Sequence, residues 1–180
     1  PCTARCLRYD EGKEQAHPPD DRCRRGGGGV VAEKKTMGPA ELGIDLESGS
    51  ERELFRWFLA CLLFGKPIQQ QVAKRAYLEL VAAGLDSPQA ILAAGWDRLV
   101  QVLDRGHYVR YDFSTASKLL EVCAELTARF GTLTALVCGA RDAEELSATL
   151  QRFKGIGPVT AAIFLREVDP QQWCRRAGHR

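Results

Sequence analysis

At 180 residues with 45% hydrophobic side chains, the chain is long enough for one domain, or two small ones, with a real core. No apolar run approaches the roughly 20 residues of a membrane span and no N-terminal stretch has a signal-peptide core, so a cytosolic protein without a membrane partner is expected. The net charge of +2 arises in residues 1–36, where eight Lys/Arg face six Asp/Glu; residues 37–180 are balanced, which excludes nucleic-acid binding by bulk positive charge and leaves only a local basic surface.

Residues 1–36 carry His17-Pro18-Pro19, Arg24-Arg25 and the run Gly26–Gly29 with no helical or strand period, so disorder is expected there. The single methionine, Met37, stands where patterning begins. That fits a true start at Met37 preceded by upstream sequence, and equally a flexible basic tail. The seven cysteines contain no Cys-x-x-Cys pair, so neither a disulfide framework nor a zinc site is expected; Cys61 and Cys123 fall within apolar helical patterns and read as buried thiols.

Ser50-Glu51-Arg52-Glu53 has the form of a capping box, and Leu54, Phe55, Phe58, Leu59, Leu62 and Leu63 follow at helical spacing, making a central core helix that stops at Gly65-Lys66-Pro67. A second helix runs from Gln69 to about Ala83 and ends at Gly84. Ser87-Pro88 opens a short helix to about Ala94, and Trp96 to Leu103 gives another. Asp104 to Asp112 is a polar, aromatic loop. A long amphipathic helix spans about Phe113 to Phe130, and Thr132 to Cys138 is a short one. No strand pattern occurs. The fold class is all-α.

The most informative stretch is Phe153-Lys154-Gly155-Ile156-Gly157-Pro158-Val159-Thr160-Ala161-Ala162. Asp142, with Glu145 three residues on, caps a helix before it. Gly155 and Gly157 permit a sharp turn, Pro158 suits a first helical position, and Val159 to Leu165 reads as a buried helix. A helix, a tight glycine hairpin and a second helix leave backbone N–H groups outward at a helix N-terminus, where an anion can bind. Nucleic acid is the natural polyanion.

Three stretches together, Phe153–Ala162, Leu62–Gln69 and Tyr108–Lys118, resemble the helix-hairpin-helix DNA glycosylase superfamily, endonuclease III-like group, over about residues 50–168. The resemblance implies a helical bundle of two lobes with double-stranded DNA crossing the cleft between them. It implies a hairpin that grips a phosphate through backbone N–H groups near Gly155, Gly157 and Val159, with a monovalent cation bound there. Lys66 stands where endonuclease III offers a glutamine to the gap left by a flipped base. Val159 occupies the place of the Schiff-base lysine of bifunctional members; an apolar side chain forms no imine, so lyase chemistry through it is excluded. Monofunctional members keep an aspartate 20 or more residues after the first glycine, where this chain reads Ala177-Gly178-His179-Arg180. Asp169 lies about two helical turns too early. The chain ends before the family's iron–sulfur loop, so no cluster is expected and the helical domain, residues 37–180, reads as incomplete at its C-terminus.

The expected DNA-binding set is Lys154, Gly155, Ile156, Gly157 and Val159 at the hairpin, Lys66 and Gln69 at the helix junction, and Tyr108, Arg110 and Tyr111 in the loop. Each has a plainer reading. Lys154 and its neighbour Arg152 are otherwise solvated charges, and Gln69 and Gln70 otherwise cap a helix end. Tyr108 and Tyr111, with His107 beside them, otherwise pack on neighbouring helices instead of stacking on an extruded base. Asp169 is the one candidate for a catalytic carboxylate, and otherwise an Asp-Pro cap at a helix C-terminus. No resident metal is expected. The function read here is DNA binding in base-excision repair, with monofunctional hydrolysis of the N-glycosidic bond if the chain is active. A non-catalytic hairpin module and a helical domain without a DNA role are the alternatives, and a monomer is expected.

Overall fold

Helix α1 (Glu51–Phe64) runs through the middle of the molecule because it is apolar nearly all round. In the computed structural model, which describes residues 37–178, every side chain from Trp57 to Phe64 is buried. The expectations for residues 1–36 lie outside the described residues, as do His179 and Arg180. Around α1 stand α2 (Gln70–Ala82), α3 (Pro88–Arg105), α4 (Asp112–Phe130), α5 (Leu133–Cys138), α6 (Ala143–Gln151), α7 (Pro158–Leu165) and α8 (Pro170–Arg176). There is no strand among the described residues, so the all-α class holds. None of these helices is long and apolar enough to cross a membrane.

Helix boundaries follow the local chemistry closely. Ser87 accepts from Ala90 N–H and Thr132 from Ala135 N–H, each opening its helix. Gly95, at φ +72°, breaks α3 into the two segments the sequence predicts. Ser50 departs from expectation. It sits at the N-cap of α1 with extended backbone, but its hydroxyl makes no capping bond. The acidic residues behind it are used elsewhere: Glu51 accepts from Leu133 and Thr134 N–H, capping α5, and Glu53 pairs with Arg56.

Two polar bonds lock α1 in place from inside. Trp57 Nε1–H donates to the Phe164 carbonyl of α7 at 3.2 Å, and the Tyr108 hydroxyl donates to the Leu63 carbonyl at 2.8 Å. Asp86 is buried before α3 and accepts from Arg52 at 2.8 Å and Arg56 at 2.7 Å. Burial works against its charge, but the hydrogen bonds from Arg52 and Arg56 outweigh that and hold its carboxyl below the usual range.

The last helix corrects the reading of the cysteines. Cys138 of α5 and Cys174 of α8 form a disulfide, with Cα atoms 5.5 Å apart. Thirty-six positions separate them, and only the return of α8 onto α5 brings them together. Trp173 is buried on the same contact and donates to Thr134 Oγ1 at 3.3 Å. Cys61 and Cys123 are buried free thiols, as expected, and burial pushes both upward in pKa, Cys123 to about 12. Among the described residues no three His, Cys, Asp or Glu side chains gather as a metal-binding group.

Candidate nucleic-acid interface

The turn between α6 and α7 is built from two anchors and one left-handed residue. Asp142 accepts from Glu145 N–H at 2.8 Å and starts α6. Phe153 and Ile156 then plunge into the core, and Ile156 N–H donates to the Phe153 carbonyl at 3.1 Å. Gly155 lies between them at φ +84°, a conformation other residues resist. Gly157 does not need that freedom: its φ is −98°, and a Cβ there would meet open space. Pro158 opens α7, whose first internal bond runs from Ala161 N–H to the Gly157 carbonyl. The N–H groups of Gly155, Gly157 and Val159 bond no partner among the described residues. Val159 itself is 61% exposed on the first turn of α7. Ile156 departs from the expected set, since its side chain and its N–H are both spent on holding the turn together.

Three other segments converge on this turn. The first turn of α7 packs so tightly on the end of α1 that a methyl group on Gly65 would overlap the Thr160 hydroxyl. That contact sets Lys66 beside the hairpin. From the other side, Lys118 of α4 lays its stem across Gly155; its Cδ is 3.1 Å and its Cε 3.8 Å from where a Gly155 Cβ would stand. Lys118 is only 7% exposed. Burial, and then the charge of Lys66, push its ammonium down to about 8. Tyr111 carries two cations, with Lys66 Nζ 5.6 Å and Arg110 Cζ 5.3 Å from its ring centre.

The remaining expected residues divide. Arg110 is exposed and Tyr111 half-buried, with Lys66 over the Tyr111 ring. Lys154 is exposed but tied to Glu121 of α4 at 3.0 Å, a weak surface pair that a stronger partner can break. Gln69 is exposed at the N-cap of α2, and its side chain makes no cap bond. Gln70 Oε1 accepts from Met37 N–H. His107 is exposed at φ +59°, while Tyr108 is fully buried and cannot stack on a base; its hydroxyl holds α1, and burial raises its pKa beyond the ordinary tyrosine range.

Asp169 caps a helix, but at the start of α8. It is the N-cap of α8, not a C-terminal cap of α7, and its Oδ1 accepts from Gln172 N–H at 2.8 Å. It stands beyond the far end of α7 from Gly157, and α7, with 8 residues, is itself about 12 Å long by helical rise. Lys118 is the site residue that sequence reading passed over. The signal was there: it lies three residues after Thr115 and four before Val122, both buried, so it shares the inward face of α4. A cation on that face is unusual enough to single out. Exposed aromatics stand nearby, with Trp96 and Phe113 rings 5.3 Å apart and Trp96 donating to Ser117 Oγ.

Compared with known proteins, the chain matches no family model, no curated protein and no solved structure.

Proposed function

We propose that the turn at residues 153–159 grips a backbone phosphate of double-stranded DNA, and that the chain is a base-excision repair protein of the endonuclease III-like glycosylase type. The observation that carries this reading is the set of N–H groups of Gly155, Gly157 and Val159, which bond no partner among the described residues at the start of α7. Lys66, which follows the α1 end packed on α7, and Arg110 both lie over the Tyr111 ring and supply cationic charge near Lys118. Glu121, the carboxylate beside the turn, is paired with Lys154. The turn carbonyls of Lys154, Gly155 and Ile156 accept no bond among the described residues and would be the groups to hold the monovalent cation that the resemblance implies; no step is routed through one.

If the chain acts on DNA, it hydrolyses the N-glycosidic bond without a covalent intermediate at Val159. The engagement of Asp169 as the cap of α8 favours a second reading, a non-catalytic module that keeps the grip. Incubation with duplexes holding deaminated, alkylated or oxidised bases separates the two: released base supports the glycosylase, and binding without release supports the module.

The grip is tested at Gly157. Its backbone is extended and its Cβ direction is open, so Gly157→Val leaves the fold intact while filling the space a phosphate must enter. Fluorescence anisotropy with a labelled duplex should show affinity falling at least tenfold, with an unchanged circular dichroism spectrum and Tm. Equal affinity in wild type and variant sinks the reading.

A further inference from the structure

We infer that Lys118 is a direct ligand of the phosphate held at the hairpin, and that Lys66 and the turn amides complete the site. This rests on the proposed phosphate grip and adds to it a residue from a different helix. Lys118 is the only buried lysine or arginine among the described residues, and no carboxylate or carbonyl partners it. Its nearest charged influence is another cation, Lys66. A buried ammonium without a counter-ion is costly, and a fold that keeps one has a use for it. Its stem follows the Cα of Gly155, so the ammonium lies one bond beyond Cε, beside the same turn whose amides are unbonded.

The way in is open. The sealed, unpartnered side-chain polar atoms among the described residues are the hydroxyls of Thr115 and Thr127, so the Lys118 ammonium keeps a path to solvent. The other charged groups around it are Lys66 after α1, and Lys154 and Glu121, which pair with each other. An arriving phosphate would therefore meet two ammonium groups and three N–H donors, beside a Glu121 already paired with Lys154. Lys118, pushed down to about 8, is partly neutral just above neutral pH and gains its full charge when an anion sits beside it. Phosphate engagement then draws in a proton.

The test uses the full chain with Lys118→Met and Lys118→Arg. Duplex binding is followed by anisotropy between pH 6.5 and 9 at constant ionic strength. In parallel, inorganic phosphate is titrated while the amide resonances of Gly155 and Gly157 are followed by NMR. Wild type should lose about tenfold in DNA affinity across that range, Lys118→Arg should stay nearly flat, and Lys118→Met should be weak throughout, with its salt slope shallower by about one. Phosphate should move both glycine amides in wild type and not in Lys118→Met. If phosphate does this while the duplex does not bind, the site stands and its source is free phosphate, and the DNA reading falls. If Gly157→Val abolishes DNA binding but Lys118→Met matches wild type in affinity, pH profile and salt slope, the grip stands and the role of Lys118 is overturned. Wild type that binds neither ligand overturns both.

Discussion

Two residues at the hairpin separate stability from binding. Lys118 has a folded-state pKa near 8 against 10.5 for an ordinary lysine. Below pH 8 it is protonated in both folded and unfolded chains, and the folded state bears the whole cost of a buried charge. As pH rises from 8 towards 10.5, the folded chain sheds that proton first, and the cost disappears. Stability of wild type relative to Lys118→Met should therefore rise between pH 8 and 10, by on the order of 1–3 kcal/mol, in urea denaturation at each pH. The measurement stops at pH 10 because the buried hydroxyls of Tyr77 and Tyr108 ionise more readily in the unfolded chain beyond it. At neutral pH Lys118→Met should be the more stable protein and the weaker binder, a pattern that purely structural residues do not produce. Gly157→Val should show the complementary behaviour, neutral for the fold and, on the proposed reading, weakening for DNA binding.

At the scale of elements, the end of α1 and the start of α7 are set by one close approach. Gly65→Ala puts a methyl group into the hydroxyl of Thr160, a buried residue. The expected cost is about 1–3 kcal/mol, read as a lower urea midpoint, and Thr160→Ala in the same chain should recover part of it. Because Lys66 follows Gly65 directly, the single variant should weaken DNA binding along with stability. The α5–α8 contact depends on the disulfide instead. Opening Cys138–Cys174, by reduction or by Cys174→Ser, removes a cross-link that spans 36 positions and should lower stability by roughly 2–4 kcal/mol. The hairpin lies on other helices, so duplex affinity at 25 °C should change little. A large loss of affinity on reduction would mean that α8 reaches the interface after all.

For the whole molecule, balanced charge decides the kind of binding to expect. With equal acids and bases in residues 37–180, long-range steering is weak, and affinity rests on a local cluster. If two or three phosphates are engaged, log K should fall against log salt with a slope of about −2 to −3, far shallower than for a protein that lies along a basic groove. A much steeper slope in a chain beginning at Met37 would point to a wider contact surface than the hairpin and its neighbours.

Linear order suffices for much of this. Helical spacing in Leu54 to Leu63, the serine, threonine and aspartate caps at Ser87, Thr132 and Asp142, and the glycine stops at Gly84 and Gly95 act over four residues or fewer, so helix positions and the hairpin could be read from neighbours in the chain. The free fate of the Gly155 and Gly157 amides was readable for the same reason. What needed three dimensions was every partner from far away: the Tyr108 hydroxyl on Leu63, the Cys138–Cys174 bond, Asp169 turned towards α8, and Lys118 laid across Gly155. Spacing tells which face of a helix is inward, but not what that face meets. Burial, charge proximity and pKa are properties of the meeting, and they exist only once the helices have packed.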